Sequence, residues 1–137
     1  MTVVSKSTAS LRIHGDDLDP EEVSFLLGAK PTFSVPKNGF HNYPPGRGRL
    51  ARTGVWRITT GYARPADLDT QVQGILARLT DDFAVWEHLS KRHSIDVFCG
   101  LWLQDENEML SIAPRTLKEL GERNITIELD IYFESDD

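Results

Sequence analysis

Two runs of strict alternation constrain this chain more than anything else in it. Ile95, Val97, Cys99, Leu101 and Leu103 alternate with Asp96, Phe98, Gly100 and Trp102. Ile125, Ile127, Leu129, Ile131 and Phe133 alternate with Thr126, Glu128, Asp130 and Tyr132. A period of two belongs to a strand with one face in a core and the other turned to solvent. The chain must therefore build a sheet that buries one side and leaves the other at least half open. Residues 11–14, 32–35, 54–60 and 109–112 read as further strands.

Helices supply the other layer. Asp19 is placed to cap a helix, with Pro20 at its first position and Glu22 completing a capping box. Leu18 and Val23 form a hydrophobic staple, Val23, Leu26 and Leu27 a buried stripe, and Gly28 the stop. Leu68, Val72, Ile75, Leu76 and Leu79 follow a capping Asp67 at helical spacing. Phe83, Trp86 and Leu89 do the same after Thr80-Asp81-Asp82, and Pro114 opens a last helix with Leu117 and Leu120, closed by Gly121.

The order is strand, helix, short strand, loop, strand, two helices, strand, strand, helix, strand. It predicts an α+β fold: a two-layer sandwich with a mainly antiparallel sheet packed on helices, ferredoxin-like or an elaborated or duplicated variant. Its 137 residues suit one domain. The reading is a flexible N-terminus at 1–9, one domain at 10–134 and an acidic tail at 135–137. Within the domain, residues 36–53 form a loop rich in Pro and Gly, long enough to be expected either functional or mobile.

The composition, 39% hydrophobic and 26% charged, is that of a globular protein. No apolar run nears the roughly 18 residues of a membrane span. Residues 1–8 lack the apolar centre of a signal peptide, and one cysteine, Cys99, allows no internal disulfide. Both point to the cytoplasm.

A net charge of −6 argues against nucleic acid as the main partner. The charge is unevenly spread, however. No Asp or Glu occurs from Val23 to Ala66, a stretch holding Lys30, Lys37, Arg47, Arg49, Arg52, Arg57 and Arg64. Such asymmetry fits either an anionic partner or a basic segment laid across acidic elements of the same fold.

Two constellations could carry a site. The first is the open sheet face, with Arg12, His14, Arg57, Trp102, Asp130 and Tyr132 among the residues opposite the core phase of Leu11, Ile13, Ile58, Val97, Cys99, Ile127 and Leu129. Cationic, aromatic and carboxylate groups on one surface can recognise a small polar molecule or a peptide. They can equally form a solvated face laced with cross-strand ion pairs. The second is the basic loop with His41, Tyr43, Arg47, Arg49 and Arg52, where arginines interleaved with aromatics suit a phosphate or a single strand.

Catalytic and metal chemistry find less support. His88 and His93 are five apart, off the spacing of a same-face helical pair, so no metal site is expected. Cys99 falls on the inward phase of its strand and reads as a small core residue rather than a nucleophile. No phosphate loop, dinucleotide fingerprint or nucleophile elbow is present, so no cofactor is expected.

Leu18-Asp19-Pro20, Leu27-Gly28, Pro31-Thr32, Gly54-Val55-Trp56 and Leu129-Asp130-Ile131-Tyr132 occur in the order seen in one bacterial family. Over residues 10–133 the chain resembles the domain of unknown function 4279 family. The resemblance implies a small bacterial protein and brings no activity, cofactor or catalytic residue.

The expectation is a non-enzymatic binding or protein-interaction domain, for instance an immunity-type protein that blocks a basic partner with its acidic surface. Its partner would be another protein or a small anionic ligand. The alternative is a small-ligand receptor or enzyme using the open sheet face, with Arg12, His14 and Arg57 as anion contacts. A weaker one is single-stranded nucleic-acid binding through Arg47, Arg49 and Arg52. Oligomeric state is not legible in the sequence.

Overall fold

The computed structural model describes residues 2–42, 45–46 and 48–134. The strands are β1 (Thr2–Val3), β2 (Lys6–Gly15), β3 (Phe33–Val35), β4 (Phe40–His41), β5 (Arg49–Leu50), β6 (Gly54–Thr59), β7 (Ser94–Leu103), β8 (Glu108–Met109) and β9 (Thr126–Phe133). The helices are α1 (Pro20–Leu27), α2 (Leu68–Leu76), α3 (Phe83–Arg92) and α4 (Pro114–Glu122).

Five strands form the main sheet in the order β3-β6-β2-β7-β9. The first three neighbouring pairs are antiparallel and the last, β7 with β9, is parallel. Strands β2, β3, β6 and β7, with α1 between the first two and α2 and α3 between the last two, make the ferredoxin-like β-α-β-β-α-β arrangement. The elaboration is one added unit, in which α4 carries the chain to β9 on the outer side of β7.

The helices cover one face. Ala9, Leu11, Ile13, Trp56, Ile58, Ile95, Val97 and Cys99 from the sheet are buried with Val23 and Leu27 of α1, Leu68, Val72 and Ile75 of α2, and Trp86 and Leu89 of α3. Both buried tryptophans satisfy their one donor: Trp56 Nε1–H donates to Ser24 Oγ at 2.9 Å and Trp86 Nε1–H to the Thr80 carbonyl at 2.8 Å.

Helix α1 forms as its cap dictates. The Asp19 carboxylate accepts from the Glu21 N–H at 3.1 Å, contributing about 1 kcal/mol, and Gly28 ends the helix at φ 75°. Leu18 and Val23 are both buried, as a staple requires. Glu22 turns outward instead, meeting Arg92 at 3.4 Å and His88 at 3.7 Å.

Several elements differ from the expectation. Phe83, at the first turn of α3, and Leu117 of α4 are half exposed, at 51% and 50%, and α4 runs through Gly121 to Glu122. Strand β2 starts at Lys6, inside the segment read as a flexible N-terminus. Its buried Ser7 hides this start from any hydropathy reading: Ser7 Oγ donates to Gln71 Oε1 at 2.6 Å and accepts from the Asp67 N–H at 3.0 Å. The strand expected at 109–112 is the two-residue β8, paired in parallel with β1. Leu129, expected in the core, is 48% exposed, because β9 is the edge strand and only Ile127, with Ile125 just before the strand, reaches the buried cluster. Residues 135–137 lie outside the described residues.

Candidate functional site

The long loop does not hang free of the sheet. Asn38 N–H donates to the Ala51 carbonyl and Ala51 N–H to the Gly39 carbonyl, both at 2.9 Å. Beyond them β4 and β5 pair as a short antiparallel ribbon, Phe40 opposite Leu50 and His41 opposite Arg49. Two glycines permit this. A Cβ at Gly39 would sit 2.8 Å from Val35 Cγ2, and one at Gly48 would sit 2.5 Å from the Phe40 ring. Lys37 reaches Asp16 at 3.4 Å and ties the loop to the turn after β2. A hydrogen bond from Thr53 and then Lys37 hold the Asp16 carboxyl below its ordinary value.

The ribbon lies against the sheet face away from the helices and forms one wall of an open cleft of about 530 Å³. Phe33, Val35 and Val55 supply apolar walls from β3 and β6, and His14 and Arg57 project from β2 and β6. The loop side contributes His41, Arg49, Leu50, Ala51, Arg52 and Thr53. Three arginines and two histidines therefore converge, and among the described lining residues there is no carboxylate.

Local contacts orient these groups. The Arg57 guanidinium lies 4.8 Å from the Phe33 ring centre, and His41 meets the same ring edge-on at 5.5 Å. Arg12, one strand away, makes a two-pronged bond to Asp96 at 2.8 and 2.9 Å and covers Phe98 at 4.3 Å. His14 is held below its ordinary value, first by burial, then by the positive charge of Arg12, with Arg57 adding to this and Asp96 opposing it. Burial and the two arginines thus favour its neutral imidazole in the free protein.

The sheet-face candidates fall into two groups. His14 and Arg57 meet the loop residues His41, Arg49 and Arg52 at the cavity, with Arg12 just outside it. Trp102, Asp130 and Tyr132 lie at the other end of the sheet. The register pairs Lys6 with Trp102 and Trp102 with Tyr132, whereas His14 lies eight positions on from Lys6, roughly 26 Å along β2. Trp102 stacks on Tyr132 at 5.2 Å and meets Tyr62 edge-on at 5.5 Å. The Lys6 ammonium covers Trp102 and Tyr62 at 4.3 and 4.7 Å, and the Tyr132 hydroxyl donates to Asp130. This second group is a packed surface built around its own cation. Tyr43 and Arg47 lie outside the described residues.

Phe33, Val35, Leu50, Thr53 and Val55 were absent from the candidates read off the sequence. The strand expected at 32–35 was the available signal, but only the pairing of β3 with β6 places Phe33 opposite Arg57. Cys99 is fully buried on the helix side, and its thiol is pushed up to about 12 by burial and then by Asp96. That suits a core residue and not a nucleophile. Among the described residues, no helix is long and apolar enough to cross a membrane.

Comparison with known proteins gives one match. The sequence pattern of the family described as "Domain of unknown function (DUF4279)" matches residues 5–134, almost the whole chain. The chain belongs to that family. No curated protein and no solved structure matches it.

Proposed function

We propose that this member of the domain of unknown function 4279 family is a binding protein for a small anionic ligand with a flat apolar body. The observation that supports the reading is the convergence of Arg49, Arg52 and Arg57 with His14 and His41 on one cavity whose other walls are Phe33, Val35, Leu50 and Val55. Guanidinium groups recognise carboxylate, sulfate or phosphate oxygens in pairs, and the apolar walls would take the rest of the molecule. The volume, about 530 Å³, falls within the range of small-molecule sites. The setting we infer is the bacterial cytoplasm, which the free, buried thiol of Cys99 suits.

Phenyl sulfate and benzoate are suitable probes, with benzyl alcohol as the uncharged comparison. Titration followed by amide chemical shifts is expected to move residues around His14, Thr53 and Arg57. Arg52→Gln combined with Arg57→Gln should weaken binding about tenfold or more, the cost of losing charge-assisted bonds. Equal binding of benzyl alcohol, or unchanged affinity in the double variant, would sink the proposal.

A further inference from the structure

The two edges of the sheet are built differently. The β3 edge is three residues long, which is one way proteins blunt an exposed edge. The β9 edge is eight residues long and pairs with β7 in an unbroken register from Thr126 to Phe133. It carries no proline, lysine or bulge, three of the devices against pairing with a foreign strand, and its charges, Glu128 and Asp130, are of one sign only, so they repel an acidic strand but not a basic one. The Glu134 N–H donates to the Leu103 carbonyl at 2.7 Å, which sets the phase of the strand. Main-chain groups alternate sides along a strand, so those of Ile127, Leu129, Ile131 and Phe133 point to the open edge.

The side chains add a second signal. Leu129, Ile131 and Phe133 are 48%, 58% and 66% exposed on the helix side, where no helix covers them. The other face of the strand carries Glu128 and Asp130. From Asn124 to the end of the sequence there is no Lys or Arg, while Glu128, Asp130, Glu134, Asp136 and Asp137 are acidic.

We propose that β9 is a docking edge for an extended segment of another protein, added as a sixth strand, in which branched apolar residues alternate with Lys or Arg. The partner's apolar residues would extend the face of Leu129 and Ile131. Its cations would lie opposite Glu128 and Asp130, where cross-strand pairs of opposite charge stabilise a sheet. A second copy of this chain fits badly. The two longest two-fold antiparallel registers are centred on Leu129 and on Asp130. The first sets Glu128 against Asp130 of the other copy, and the second sets Asp130 against itself; like charges directly opposite are destabilising. This edge lies beyond β7, away from the β3-β6-β2 end that holds the basic cavity, so the two proposals stand or fall separately.

The probe is a fluorescent peptide the length of β9 that alternates Lys with Val, titrated into the full chain. The comparisons are a Glu–Val alternating peptide and a Lys–Val peptide of the same composition in two blocks. The alternating Lys–Val peptide is expected to bind and to slow amide exchange at Leu129, Ile131 and Phe133. Ile131→Pro removes an outward N–H while leaving the pairing to β7, and should weaken binding about tenfold or more with the melting transition retained. Glu128→Lys with Asp130→Lys should abolish the preference for the Lys–Val peptide, and it tests the proposal even where the proline variant fails to fold. Equal binding of the block or Glu–Val peptide would overturn it, as would protection elsewhere or unchanged binding in both variants. A dimer of the free chain that Ile131→Pro dissociates would overturn it too, by assigning the edge to a second copy.

Discussion

His93 occupies the space that a side chain at Gly15 would need: a Cβ there would sit 2.2 Å from His93 Nδ1. Gly15 ends β2 and His93 precedes β7, so the end of the sheet closes around the imidazole. Gly15→Ala should therefore destabilise the fold by about 1–3 kcal/mol through overpacking. Gly74 is the contrast, since a Cβ in the middle of α2 meets nothing within 4 Å. Gly74→Ala should stabilise by about 0.5–1 kcal/mol by restricting the unfolded chain. Urea midpoints of the two variants should move in opposite directions.

His93 and His14 also make stability depend on pH. Both imidazoles are held below their ordinary value, His93 by burial and then Arg92, His14 by burial and then Arg12. Above about pH 7.5 both are neutral in either state and contribute nothing. As pH falls through about 6.5 the unfolded chain takes up protons that the folded chain resists, so stability falls. The urea midpoint should drop between about pH 7.5 and 5.5. His93→Gln should flatten that slope, and an unchanged slope would count against the assignment.

The Arg12–Asp96 pair predicts a spectroscopic effect larger than its energetic one. Both side chains are partly exposed, at 27% and 19%, so Asp96→Asn should cost only about 1 kcal/mol. Asp96 is, however, the group that raises His14 against burial and the two arginines. In Asp96→Asn the His14 imidazole should titrate lower than in the parent, followed by its ring carbon shifts across the titration. A rise would show that the ring senses Asp96 differently.

How much of this was legible in the sequence depends on what each signal encodes. Alternation encodes which side chains share a face, and Val97, Cys99 and Ile127 lie on the face expected of them. It does not encode how far the helices reach across that face, and so Leu129 was misplaced on an edge strand. The start of β2 was hidden because Ser7 is a polar residue buried by its hydrogen bonds to Gln71 and Asp67. The acid-free stretch marked the basic loop, and the strand alternation marked His14 and Arg57, each by itself. Their meeting needed the β3-β6-β2 order, which a crossover through α1 leaves open until the pairing is known. Trp102 and Tyr132 shared the face of His14 but not its neighbourhood, since a face says nothing of position along the strand.

The cavity and the titration of His14 together predict that anion binding takes up a proton. In the free protein Arg12 and Arg57 both disfavour a charge on His14. A bound sulfate or carboxylate among Arg49, Arg52 and Arg57 would offset that positive field and favour the imidazolium, raising the His14 value. Binding and protonation are then linked, and each favours the other. Phenyl sulfate keeps one negative charge throughout, so its affinity should strengthen as pH is lowered from about 7.5 to 5.5, and calorimetry in buffers of different ionisation enthalpy should register the proton gained. His14→Asn should bind the same anion with an affinity nearly flat in pH. An equal pH dependence in that variant would overturn the assignment of the proton to His14.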